Sequence, residues 1–141
     1  MMVLSRKRLF LTCLAASLAG LARVEHPALK KVFEKDFHIG VALNHGQITG
    51  KDPAAMALVK EQFNSITPEN VLKWEVVHPQ PEQYDFAPVD RFVEFGEKHG
   101  MFMVGHTLVW HQQTPSWVFE GGSGETATRE TVLQRMRDHI F

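Results

Sequence analysis

Runs with the two-residue period of a β-strand alternate along this chain with stretches at the helical period, and that alternation limits the possible folds more than any other feature. "FHIGVALN" (37–44) sets Phe37, Ile39, Val41 and Leu43 on one side of an extended segment. "KDPAAMALVKEQ" follows, with Asp52 placed to cap a helix and Pro53 at its first position. "FNSIT" (63–67) reads as a second strand. "APVDRFVEFGEKHG" predicts a helix from near Pro88. Its inner stripe holds Val89, Phe92, Val93 and Gly96, with Lys98 in the last turn and Gly100 just past the end. "MFMVGHTLVW" (101–110) is a third strand, almost wholly apolar, as expected where both faces are covered. In "TATRETVLQRMRDHIF" a last helix puts Leu133, Met136 and Ile140 on one face. Glu130 comes early and Arg135 and Arg137 late, the order that suits the helix dipole.

Strand–helix–strand repetition at this spacing implies parallel strands joined by right-handed crossovers. Three such units belong either to an open doubly wound sheet or to an eightfold barrel. "ALNHGQITG", after the first strand, does not fit the glycine fingerprint of a dinucleotide site. Polar groups gather instead after strands two and three, where a barrel carries its site. The expected fold is therefore α/β, a (β/α)8 TIM barrel of which about the first three β/α units are present. Three of eight strands leave sheet edges unpaired.

The length of 141 residues is that of one ordinary domain, and a formal net charge of −1 points to neither nucleic acid nor an anionic membrane as partner. Residues 1–22 stand apart. Arg6, Lys7 and Arg8 precede the apolar run "LFLTCLAASLAGLA", in the order of a cleaved secretory signal, so residues 23–141 form the expected mature, secreted chain. The run is shorter than the roughly 20 apolar residues a membrane span needs. The single cysteine, Cys13, falls inside that signal, which leaves the mature chain without disulfides or thiolate chemistry. No glycine, proline or polar tail follows the last helix, and the expectation is a truncated chain.

Two segments could carry chemistry. In "TPENVLKWE", Thr67, Pro68 and Glu69 also make an ordinary helix start, but the helix would be short before "HPQPEQYDF" interrupts it. The alternative brings Glu69, Asn70 and Lys73 to the end of strand two, where a carboxylate, an amide and an ammonium suit a polyhydroxylated ligand. In "GHTLVWHQQTPSWVF", His106 and His111 lie five residues apart, match no familiar ligand pair and have no acidic neighbour, so no metal is expected. Trp110 and Trp117 would by default fill a core, and Gln112 and Gln113 alone would be a solvated loop. Joined to His106 on one strand-to-loop turn, these residues fit a sugar subsite better, the indole packing on pyranose C–H groups while amide and imidazole reach the hydroxyls.

"FNSITPENVLKWE", "YDFAPVDRFVEFGEKHGM" and "GHTLVWHQQTPSWVF" occur in the order and spacing of family 10 of the glycoside hydrolases, and the chain resembles that family from about Phe37 to Ile140. Its members are mostly secreted endo-β-1,4-xylanases on an eightfold (β/α) barrel. One departure is Val104, where the family commonly shows arginine. The resemblance implies xylan and xylo-oligosaccharides as partners and calls for no cofactor. It assigns Glu69, Asn70 and Lys73 to the glycone side of the cleft, His106 to a hydroxyl of the sugar at the cleavage point, Trp110 to the wall of that subsite and Gln113 to the neighbouring xylose. Asn44, after strand one, is a further candidate for the same cleft.

The family's chemistry is retaining hydrolysis by two glutamates with carboxyl groups roughly 5–5.5 Å apart, one acid then base and the other nucleophile. The resemblance places them after strands four and seven, beyond Phe141, so no catalytic residue is assigned here. Glu69 and Glu75 do not substitute, because two carboxylates of one short loop approach the anomeric carbon from one side. The expectation is an inactive amino-terminal fragment of an endo-1,4-β-xylanase. Its rivals are a non-catalytic xylo-oligosaccharide-binding short form and an incomplete gene product.

Overall fold

The computed structural model describes residues 26–141, and the expected signal, residues 1–22, lies outside them. Three parallel strands form one sheet in the order β1 (Gly40–Leu43), β2 (Ser65–Pro68), β3 (Phe102–Met103). Gly40 to Leu43 pair in register with Ser65 to Pro68, and Ser65 and Ile66 pair with Phe102 and Met103. A short α1 (Leu29–Val32) precedes the sheet, α2 (His45–Ile48) and α3 (Pro53–Gln62) join β1 to β2, and α4 (Trp74–Val77) and α5 (Ala87–Lys98) join β2 to β3. A 3₁₀ turn at Ser116–Val118 and α6 (Arg129–Ile140) follow.

Local chemistry explains most of these boundaries. The Asp52 carboxylate accepts the Ala55 N–H at 3.0 Å, closing the amino end of α3 where Pro53 supplies the fixed φ of its first turn. Met56 and Val59 turn inward from α3, Phe92 and Gly96 from α5, onto Leu43 and Ile66 of the two full strands. Gly96 permits that approach: a Cβ there would overlap the Met103 thioether and stand 3.3 Å from Ile66 Cδ1. Gly100, at φ +59°, makes the left-handed turn that ends α5.

Two expectations change, and one open alternative is decided. The first strand starts at Gly40, and Phe37 lies outside it, 57% exposed and stacked on Phe33 at 5.0 Å. Thr67 and Pro68 end a strand and do not begin a helix: they pair with Ala42 and Leu43, and the Glu69 N–H continues the ladder to the Leu43 carbonyl at 2.9 Å. The third strand is two residues long, not ten. Among the described residues β3 pairs only with β2, and after the bond from Val104 N–H to the Ile66 carbonyl the chain bends away with Leu108 and Val109 exposed. An apolar run records that faces are to be covered, but a ladder forms only where a neighbouring strand exists.

Candidate functional site

The carboxyl ends of β1, β2 and β3 open onto three loops; Asn44 lies on the first and the other candidate residues on the second and third. After β2 the chain makes a turn closed by the Lys73 N–H donating to the Asn70 carbonyl at 2.9 Å. Val71 is drawn into the core beneath, which leaves Glu69 and Asn70 at the surface above it. Lys73 is 3% exposed, and its ammonium lies over the Trp110 indole, 4.4 Å from the ring centre. A cation on an aromatic face is held by the ring quadrupole, by about 0.5–1 kcal/mol when exposed and about 2 when desolvated.

After β3 the chain runs through Trp110 to Gln113, whose φ of 52° turns it back toward the β2 loop. The Thr114 hydroxyl donates to the Trp110 carbonyl at 2.6 Å and fixes this turn. The Gln113 carbonyl accepts the Glu75 N–H at 3.0 Å, one of the donors that the first turn of α4 leaves without a helical partner. Its side-chain amide donates to Asn70 Oδ1 at 3.3 Å and to Glu75 Oε1 at 3.1 Å. Asn70, Lys73, Trp110 and Gln113, from two loops 40 residues apart, thus meet in one cluster.

Three candidates lie apart from these contacts. Glu69 and His106 are exposed, and neither side chain makes a hydrogen bond or ion pair among the described residues. Asn44 is occupied in a capping box at the start of α2: its Oδ1 accepts the Gln47 N–H at 3.0 Å and its N–H donates to Gln47 Oε1 at 2.9 Å. His111 stands edge-on to Trp110 at 5.3 Å.

Sequence reasoning missed Glu75 as a member of this group, having weighed it only as a catalytic carboxylate. The available signal was its place two residues after Lys73, in the first turn of a helix that must find acceptors for its free N–H groups. It also left Trp117 between a core and a sugar site. The Trp117 indole is part of the packing: it sits edge-on to Trp74 at 6.2 Å and 4.9 Å from His78, below the α4 turn. His139 of α6 stacks on Trp74 at 4.2 Å, and Arg135 donates to the carbonyls of Trp117, Val118 and Glu120. A hollow of about 560 Å³ beside this stack is lined mainly by apolar groups such as Leu72, Tyr84, Phe86 and Leu108, and it contains none of the candidate site residues.

Comparison with known proteins bears on the family and the fold. Residues 28–141 match the family model described as Glycosyl hydrolase family 10. A β-1,4-xylanase of Dictyoglomus thermophilum is 47% identical over 117 residues, which are 83% of this chain and 30% of that protein. A solved GH10 endoxylanase retrieved from a sugarcane soil metagenome superposes with a TM-score of 0.75 at 43% identity, covering 82% of this chain and 34% of the other. A mutant solved in complex with xylotriose gives a TM-score of 0.73 at 38% identity over the same shares. The chain spans about a third of the length of the relatives it matches. Its three parallel strands and their helices are the first β/α units of a (β/α)8 barrel, and the chain belongs to glycosyl hydrolase family 10.

Proposed function

We propose that this chain is the amino-terminal part of a secreted endo-1,4-β-xylanase, bearing glycone-side subsites and neither of the two carboxylates that break the glycosidic bond. The observation that carries the reading is the meeting of Asn70, Lys73, Trp110 and Gln113 above the carboxyl ends of the strands. That group offers a cation, two amides and an aromatic face, a set that suits a pyranose with vicinal hydroxyls. Glu69 and His106 complete the subsites in this reading, each with its polar atoms free for a sugar hydroxyl. Relatives named as xylanases, and one solved with xylotriose, support xylan as the substrate class.

Retaining hydrolysis needs a proton donor beside the leaving oxygen and a nucleophile on the opposite side of the anomeric carbon. Asn70, Lys73, Trp110 and Gln113 supply neither. Their part is to hold and orient the sugar chain. The purified 141-residue chain is therefore expected to release no reducing sugar from xylan while still binding xylotriose. Hydrolysis that survives repurification and is absent from a mock preparation overturns the first expectation. Reading the gene beyond the codon for Phe141 separates an interrupted enzyme from a binding-only short form: a continuing frame with glutamates after strands four and seven restores the full enzyme. Export rests on the charged start and apolar run of residues 1–22, and amino-terminal sequencing of the protein from the culture medium tests it.

A further inference from the structure

We infer that Glu75 is a positioning residue that fixes which way the amides of Gln113 and Asn70 face, and so which hydrogen-bonding groups they offer to a sugar. The inference rests on the proposed sugar cleft and adds to it a residue that touches no substrate itself. A carboxylate only accepts, so the Gln113 group 3.1 Å from Glu75 Oε1 must be its NH₂. The same NH₂ has one further hydrogen, and it goes to the Asn70 side chain at 3.3 Å, which must therefore present its oxygen. Both donors of Gln113 are then occupied. Its Oε1 keeps its lone pairs, and Asn70 keeps a whole NH₂ group.

The pair thus offers a pyranose one amide carbonyl and one amide NH₂, which suits neighbouring hydroxyls of which one donates and the other accepts. The backbone reinforces the assignment, because the Glu75 N–H holds the Gln113 carbonyl at 3.0 Å and keeps that left-handed residue over α4. Without the carboxylate, the two hydrogen-bonded amides can turn together, each by half a turn, and one of the pair's two arrangements faces the sugar with the wrong groups.

The test is a double-mutant cycle on the full 141-residue chain, read by tryptophan fluorescence during titration with xylotriose. Glu75→Gln keeps the shape and removes the acceptor-only character; it is expected to weaken binding about twofold, because the correctly facing arrangement falls to about half of the population. Gln113→Ala is expected to weaken binding as well. In the Gln113→Ala background, Glu75→Gln should add nothing, since Glu75 acts through Gln113. Unchanged binding by Glu75→Gln, or losses that multiply in the double variant, overturns the inference. A wild-type chain that binds no xylotriose overturns the sugar-cleft reading, and this inference with it. A second measurement needs no folded variant at position 75: the two side-chain amide protons of Gln113 in the wild-type chain should exchange with solvent more slowly than those of exposed Gln112. Equal rates overturn the inference.

Discussion

Lys73 combines deep burial with the lack of an ion-pair partner among the described residues, its ammonium resting on the Trp110 ring. A buried charge without a counter-ion costs stability, so its presence is better explained by binding than by folding. Lys73→Met keeps the apolar stem and removes the charge. The expected result is a melting temperature equal to or above that of the wild type, with xylotriose affinity lower by about tenfold. A lower melting temperature with intact binding would assign Lys73 to the core instead. The residue types on the two loops could be read from the sequence as candidates, although each alone has an ordinary structural use: a helix start, a core indole, a solvated loop. Their partners could not. The Lys73–Trp110 and Gln113–Glu75 contacts join loops that meet only when β2 and β3 pair, and no local pattern encodes a distance across that pairing. His111 and Gln112, equally polar and adjacent, remain exposed.

The elements show the same division between local and non-local causes. α3 was legible to the residue because its cap is local: Asp52 and Pro53 specify the start, and the Asp52–Ala55 bond forms within one turn. Asp52→Ala is expected to lower stability by about 1 kcal/mol in urea denaturation, while Asp52→Asn should cost little. α6 was legible as a helix but not in its docking. Arg135, assigned from sequence to the dipole of its own helix, instead satisfies three carbonyls of the 3₁₀ turn and the residues after it. His139 is stacked on Trp74, and its Nε2–H donates to the Leu108 carbonyl at 3.0 Å. Burial, with a smaller contribution from nearby His78, lowers the His139 pKa below 6.5, although the bond to Leu108 opposes the shift. The folded state therefore binds fewer protons than the unfolded chain just below pH 6.5. The stability of this docking is full above that pH and is lost as pH falls through the lowered value. Hydrogen exchange should show α6 opening more readily at pH 5 than at pH 7, and His139→Gln should flatten the difference. An unchanged pH dependence in that variant would remove His139 from the explanation.

For the molecule as a whole, the parallel α/β class followed from period alone, since crossover helices and the strands between them each leave a recognisable pattern. The barrel reading needed more: the missing glycine fingerprint after β1 and the polar groups after β2 and β3. The extent of β3 could not be read, because it depends on a neighbour on its far side. That edge now has a physical consequence. Among the described residues β1 and β3 each pair only with β2, so the outer side of each carries backbone groups without a strand partner. Beside the β3 edge, Phe102, Val104 and Leu108 are 56%, 40% and 60% exposed. Unpaired ladder groups next to apolar side chains form a template for another strand, and association through them is expected across the micromolar to millimolar range. Light scattering from the purified chain should rise with concentration. Val104→Lys places a charge on that edge without touching the loop cluster, so it should delay the rise and leave xylotriose binding intact. A chain that stays monomeric throughout, with a sharp thermal melt, would mean that the three-strand sheet is stable with its edges bare.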